Sequence, residues 1–194
     1  MNITESDELI PAGMLSLEFM HSDWGDFRGR WRVDYLLKPD WLQEFMAKWH
    51  LETGNAPAES EIQALITLRT LMMHIVASLP SGGPAEEDLA SLNSILQDAP
   101  STRRLLWGNE KFDLEIEPLV KNWNWVMAEI AGSFAELLVY SDLRRLKVCE
   151  NPYCGWIFYD ETRSRTKRWC TNEKCGNLWK MRRFRARKKT AISD

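Results

Sequence analysis

Cysteine is absent from the first 148 residues of this 194-residue chain, and all four cysteines lie between Cys149 and Cys175. The chain also lacks an uninterrupted run of about 20 apolar residues, the length that crosses a bilayer. Its acidic start, MNITESDELIPAG, has no apolar segment of the kind found in secretory signals. We therefore expect a cytoplasmic protein that does not enter the membrane and whose thiols stay reduced.

Sequence signatures of common enzymes are missing as well. The chain has no glycine-rich phosphate loop, no H-E-x-x-H and no G-x-S-x-G. Its three histidines, His21, His50 and His74, are dispersed and have no cysteine or acid pattern around them. We therefore expect a protein that is not an enzyme.

Basic residues are scarce in the first part of the chain and acidic residues are scarce in the last part, although the net charge is only −3. Residues 1–143 hold 10 Lys+Arg against 23 Asp+Glu, whereas residues 144–194 hold 15 against 5. Such an asymmetry is typical of a nucleic-acid-binding part joined to a part with another task.

Residues 1–140 have the pattern of a mostly helical domain with a few strands. Apolar residues recur at helical spacing in four segments, which are 38–50, about 58–79, about 85–97 and 118–140. Asp40 is predicted to cap the first of these helices, and Pro118 to lie in the first turn of the last. MLSLEFM and RWRVDYLL are predicted strands, and a hairpin is predicted around Gly108-Asn109.

The four cysteines form two C-x4-C pairs, Cys149 with Cys154 and Cys170 with Cys175, separated by fifteen residues. Two such loops supply the four ligands of a tetrahedral zinc site, and four thiolates leave no position open for chemistry. We therefore expect one structural Zn²⁺. The alternatives are two disulfides, four unrelated buried thiols or a four-cysteine iron–sulfur cluster.

Residues 141–194 are predicted to form a small module around this metal. CENPYC is expected to be a knuckle, GWIFYDET and RSRTKRWC the two strands of a hairpin, and the residues from TNEKCGN onward a helix. Knuckle, hairpin and helix in this order are typical of a treble-clef zinc module. The predicted fold class is thus α+β, with a mostly helical N-terminal domain followed by a treble-clef module.

The C-terminal motifs resemble those of a known family. Cys149-x4-Cys154, Phe158-x-Asp160 and Arg168-Trp169-Cys170-x4-Cys175-Gly176-Asn177 are similar to the CGNR zinc finger. That finger usually follows an ABATE domain, a mixed α/β domain of proteins described as stress-induced transcription regulators. The resemblance implies an ABATE-like ligand-sensing or dimerisation domain over 1–140 and a CGNR-like finger over 141–194. The final arginine of the CGNR signature is Leu178 here.

A basic surface is predicted on the finger. Lys180, Arg183 and Arg187 share one helical face, while Leu178, Met181 and Phe184 are expected to pack on the predicted hairpin of the finger. The candidate nucleic-acid contacts are Arg163, Arg165, Lys167, Arg168, Lys180, Arg182, Arg183 and Arg187. Phosphates favour such a surface through counterion release. The alternative is a solvated basic tail.

The predicted function is that of a zinc-dependent regulator that binds nucleic acid, with DNA preferred over RNA. Because one finger has a small footprint, sequence-specific DNA binding is expected to require a homodimer. An RNA-binding protein is the second hypothesis, since Tyr153, Trp156, Phe158, Tyr159 and Trp169 offer rings for stacking on bases. The third is a zinc-stapled protein–protein adaptor without a nucleic-acid role.

Arg69 interrupts the most apolar predicted helix, LITLRTLMMHIVASL. A buried arginine needs a partner. It is predicted to line a pocket for a small anionic effector, or alternatively to form a buried ion pair with an acid such as Asp34 or Glu129.

Overall fold

The computed structural model of the chain describes residues 14–190, and more than half of the chain is helical. The six α-helices are α1 (Met14–Met20), α2 (Pro39–Lys48), α3 (Glu59–Ser78), α4 (Glu86–Gln97), α5 (Trp123–Tyr140) and α6 (Asn177–Thr190). The six strands are β1 (Asp23–Gly25), β2 (Arg32–Asp34), β3 (Ser101–Gly108), β4 (Lys111–Pro118), β5 (Leu146–Val148) and β6 (Ile157–Tyr159). They form three separate antiparallel pairs, β1–β2, β3–β4 and β5–β6. The predicted α+β class with a mostly helical larger part is confirmed.

Helices α3 and α5 carry the centre of the core. Leu65, Leu68 and Met72 of α3 recur at helical spacing and are fully buried, as are Ile130 and Phe134 of α5. Burial of each such side chain stabilises the fold by about 1.5–3 kcal/mol. The apolar stripe visible in the sequence therefore becomes the packed interior.

The core extends into the zinc module. Leu146 of β5 and Ile157 of β6 belong to the same buried cluster as the residues of α3 and α5. Strand β5 packs on α3 and β6 on α1. The module thus shares its apolar interior with the larger domain.

One described segment, Glu59–Ser81, is long and apolar enough to cross a membrane by length and composition alone. In the structure it packs against α1, α4 and α5. Its central arginine, Arg69, is buried. These contacts identify α3 as a core helix of this fold.

The segment MLSLEFM, predicted as a strand, is the helix α1. Ser16, Phe19 and Met20 are its buried residues, so burial recurs at i, i+3 and i+4 and not at every second residue. A seven-residue apolar run does not distinguish the two periods by itself.

Two predicted helix starts were misplaced. Helix α2 begins one residue before Asp40, with Pro39 at its first position and Asp40 in its first turn. Pro118 ends β4, because β3 pairs with β4 up to Ser101 opposite Pro118. Helix α5 begins later, where the Asn122 side chain accepts a hydrogen bond of 3.0 Å from the Trp125 N–H.

The hairpin predicted around Gly108-Asn109 is present, with its turn one residue further along. Gly108 pairs with Lys111, so Asn109 and Glu110 are the turn residues. Both have positive φ, 52° and 58°. This is the left-handed pair that a two-residue hairpin turn requires.

Candidate zinc centre and basic surface

The four cysteines converge from three local structures. Cys149 directly follows β5, Cys154 ends the tight turn after it, and Cys170 lies in the loop before α6. Cys175 lies in a short π-helical turn, Asn172–Gly176, which leads into α6. All four Sγ atoms lie within 4.8 Å of one another.

The sulfur spacing fits a tetrahedral zinc ion. Cys154 Sγ lies 3.7 Å from Cys170 Sγ, which lies 3.8 Å from Cys175 Sγ. A Zn–S bond of about 2.3 Å sets neighbouring sulfurs about 3.8 Å apart. All four cysteines are free of disulfides. The geometry favours a metal over the disulfide alternative.

Hydrogen bonds orient the sulfurs from outside the site. The Cys170 N–H donates to Cys149 Sγ at 3.5 Å, and Asn151 Nδ2 donates to Cys175 Sγ at 3.2 Å. The Asn151 side chain is 2% exposed and also donates to the Phe27 carbonyl at 2.7 Å. The metal centre is therefore tied to the larger domain by one buried amide.

The electrostatics of the cluster favour a bound cation. Hydrogen bonds with Cys154 and Cys170 lower the pKa of Cys149. Hydrogen bonds to Cys149 raise the pKa values of both Cys154 and Cys170. Proximity alone therefore favours a single thiolate, because a second negative sulfur would lie within 4.8 Å of the first. A bound Zn²⁺ offsets this repulsion and holds all four as thiolates.

The finger departs from its predicted strand pairing. Strand β6 pairs with β5, which precedes the first cysteine, and residues 163–170 form no strand. Asp160, fully buried, instead holds the loop through hydrogen bonds from Lys147 Nζ (2.7 Å), the Thr162 hydroxyl (2.6 Å) and the Lys167 N–H (2.9 Å). Burial raises the pKa of Asp160, but these hydrogen bonds lower it by more, so the net shift is downward. One carboxylate thus fixes the loop where a strand ladder was expected.

Several cations of that loop have partners on the protein. Arg165 pairs with Asp142 at 3.3 Å, and Arg168 pairs with Glu150. Lys167 lies 5.1 Å from the centre of the Phe158 ring. Arg163 is exposed. The loop is basic in composition, yet two of its four cations are partly neutralised.

The cations of α6 point into solvent. Lys180, Arg183, Arg185 and Arg187 are exposed and pair with no acid among residues 14–190. Arg182 differs, because it is half-buried over the Tyr153 ring at 5.2 Å. Lys180, Arg183 and Arg187 therefore lie together on an open face, as their spacing predicts.

The packed face of α6 is not the predicted one. Trp179 packs on Trp169 with ring centres 5.4 Å apart, whereas Met181 and Phe184 are 52% and 68% exposed. Trp179 and Arg182 therefore anchor the helix, and Phe184 lies on the open face among the cations. Leu178 is half-buried beside this anchor.

Two grooves are open on the described surface. One, of about 820 Å³, lies between α2 and α3 and is lined by Leu42, Met46 and Ile62, with Glu52 and Glu59 beside them. It has no basic residue in its lining. The other, of about 920 Å³, lies between the end of α3 and the finger, and Arg144, Arg165 and Arg168 line it.

Arg69 forms the predicted alternative, a buried ion pair. Its guanidinium donates to both Asp34 oxygens, at 2.7 and 2.5 Å, and to the Ser22 hydroxyl at 2.8 Å. The side chain is 4% exposed and lines neither of the two grooves. These contacts support the ion-pair alternative over the role of Arg69 in binding an anionic effector, because its donors are committed within the protein.

The contact between the finger and the larger domain was missed by sequence reasoning. His21 stacks on Trp156 with ring centres 3.6 Å apart, and its Nε2 lies 2.6 Å from the Ile157 carbonyl. Trp24 meets the edge of Trp156 at 5.0 Å. These residues are more than 130 positions apart, and no local pattern brings them together.

Comparison with known families gives two matches. The model described as "Putative stress-induced transcription regulator", the ABATE domain, matches residues 13–141. The CGNR zinc finger model matches residues 145–188. No curated protein matches the chain. Both family matches agree with the resemblance drawn from the motifs, and the finger match together with the sulfur geometry supports one structural zinc ion.

Proposed function

The chain belongs to the ABATE family and carries a CGNR zinc finger over residues 145–188, and on this premise we propose that it is a zinc-dependent transcription regulator that binds DNA. The finger holds the DNA, and the helical domain senses a small molecule. Neither part performs catalysis, and the protein acts in the cytoplasm.

The observation that carries the proposal is the open cationic face of α6. Lys180, Arg183 and Arg187 are exposed and have no acidic partner in the described chain. The helix that presents them directly follows the turn that holds Cys175, a candidate zinc ligand, and its Trp179 packs on Trp169. A rigid helix with unpaired cations is suited to a groove lined by phosphates.

Ring packing favours DNA over unpaired RNA. Trp156 is stacked on His21, Trp169 lies against Trp179, and Phe158 is only 8% exposed. Most of the aromatic rings considered for base stacking are therefore used inside the protein. Phe184 is exposed among the cations and offers an apolar contact for a thymine methyl group.

The sensing role is assigned to the groove between α2 and α3. Its floor is apolar, and Glu52 and Glu59 are the charged residues of its lining. Clefts of a few hundred Å³ with apolar walls are the usual sites for small ligands. The acids favour a neutral or cationic effector.

The test compares nucleic acids on the zinc-loaded full-length chain. Binding to a mixed-sequence duplex, a single strand and a structured RNA is measured by fluorescence anisotropy over a range of salt concentrations, and random duplexes are selected for enrichment. We expect preference for the duplex and an enriched motif. A Cys170→Ser variant should lose zinc and duplex binding together, while the cysteine-free larger domain remains helical by circular dichroism.

Other outcomes decide against the proposal. Preference for the structured RNA would support the RNA-binding hypothesis. Absence of binding to all three at low salt would support the adaptor.

A further inference from the structure

The hairpin β3–β4 has two chemically different faces. Residues directly opposite each other share a face, and the register pairs Leu105 with Leu114 and Trp107 with Phe112. Ile116, opposite Arg103, completes this apolar face. The other face carries Thr102, Arg104, Asp113, Glu115 and Glu117 together with the half-buried Leu106, and Arg104 is opposite Glu115 there.

The apolar face is open to solvent. Its five large side chains are 55–69% exposed: Leu105, Trp107, Phe112, Leu114 and Ile116. Trp107 and Phe112 pack on each other, with ring centres 4.7 Å apart. Neither strand packs substantially on another helix or strand of the described residues.

The apolar face of such a hairpin is expected to be buried against another surface. A two-stranded hairpin standing alone is marginally stable at best in water. Contiguous exposed apolar patches of this kind mark interaction sites. Eight residues on each strand nevertheless pair in full register from Ser101–Pro118 to Gly108–Lys111.

We propose that the apolar face of β3–β4 is a homodimer interface, in which it packs against the same face of a second copy of this chain. The proposal is independent of nucleic-acid binding. A second copy fits because the face is self-complementary about its centre, the Leu105–Leu114 pair.

The order of residues along the face sets the orientation. Arg103 and Ile116 lie at the base, the leucine pair in the middle, and Trp107 and Phe112 at the tip. A twofold axis through the centre, with the hairpins antiparallel, sets each Arg103 over the tip rings of the other copy. The two arginines are then far apart, and each gains a cation–π contact. The parallel arrangement would instead bring the two arginines together.

The area agrees with a stable but modest dimer. The two aromatic side chains offer about 150 Å² each and the smaller ones about 100 Å². This gives roughly 600 Å² per copy and about 1,200 Å² for the pair, the lower end of specific interfaces. The outer faces of the two hairpins, which carry the charged residues, remain in water.

The test measures the mass of the full-length, zinc-loaded chain in the absence of nucleic acid by sedimentation equilibrium. The wild type should have the mass of two chains. Leu114→Lys places two ammonium groups at the twofold axis and should raise the dimer dissociation constant at least about 100-fold. Asp113→Lys, one residue away on the outer face, is the matched control and should remain dimeric.

Zinc content and far-ultraviolet circular dichroism distinguish dissociation from misfolding, and both should be unchanged in Leu114→Lys. A wild type that is monomeric at about 100 µM, even if it captures vesicles or another protein, would overturn the proposal. A Leu114→Lys chain that dimerises like Asp113→Lys would overturn it too.

Discussion

Single side chains decide how the charged residues of the larger domain are accommodated. Arg69 lies within the most apolar helix, and its cost of burial is offset by Asp34 and Ser22. Burial raises the pKa of Asp34. The hydrogen bond from Arg69 and the charge of Arg69 lower this pKa by more than burial raises it, so the net shift is downward. The sequence shows that Arg69 needs a partner, and only the fold selects Asp34 from the acids available.

Arg69→Leu should destabilise the protein without altering a binding site. Removal of one member of a buried pair leaves Asp34 uncompensated and costs about 3–5 kcal/mol, which lowers Tm by roughly 10 °C. The double variant with Asp34→Leu should lose less than the sum of the two single variants, as measured by urea unfolding. An unchanged Tm combined with an altered response to small anions would restore the effector role.

His21 makes stability depend on pH. Burial lowers its pKa to about 4, against the raising effects of the Ile157 carbonyl and Glu18. The unfolded chain therefore binds a proton below about pH 6.5 that the folded chain does not bind until about pH 4. The stabilisation is complete above pH 6.5 and is lost as pH falls through this window.

Between pH 7.5 and 5 this single group should reduce the free energy of unfolding by about 2 kcal/mol. His21→Gln should remove that part of the pH dependence. Because zinc release also destabilises the chain in acid, the measured quantity is the difference between wild type and variant at each pH. Identical profiles for the two chains would show that the folded chain does not lower the pKa of His21.

Among the elements, α6 combines an anchor and an exposed cationic face. Trp179 and Arg182 hold one side on the finger, and Lys180, Arg183 and Arg187 occupy the other. The loop cations Arg165 and Arg168 already have acidic partners. The helix should therefore carry most of the interaction with phosphates and bases.

Lys180→Ala and Arg187→Ala should each flatten the salt dependence of duplex binding by about 0.9 for every phosphate that the variant no longer neutralises. Arg183→Ala should relax discrimination at one base pair, worth roughly 1–3 kcal/mol. Arg168→Ala is the control and should change the slope by less than half as much, since Glu150 partly neutralises Arg168. Equal losses from all four variants, with no change in sequence preference, would indicate a non-specific basic tail.

Elements with long periodic patterns were predictable, and short or long-range ones were not. Helices α3 and α4 begin and end within a residue or two of their predicted bounds, because many turns share one apolar stripe. The predicted strand pairing of the finger was wrong, because the partner of β6 precedes the cysteines. Hydrogen bonds to Asp160 hold the loop that was predicted to be the second strand. The cysteine cluster was predictable because ligand chemistry fixes its spacing.

At the scale of the whole molecule, two parts of opposite charge share one interior. Leu146 and Ile157 of the finger are buried with residues of α3 and α5. Asn151, His21 and Trp156 add polar and aromatic contacts across the same boundary. Sequence composition separates the two parts clearly, whereas the packing that joins them depends on residues more than 100 positions apart.

The close approach of Gly29 to Tyr153 has a consequence for exchanging parts between relatives. Gly29 has φ +78°, and a Cβ there would lie 2.5 Å from the Tyr153 ring. A chimaera joined at the boundary between the two family matches would set a foreign finger against this glycine, against His21 and against the Phe27 carbonyl. Residues 21–29 therefore have to be transferred together with the finger, so the transplantable unit is discontinuous in the chain.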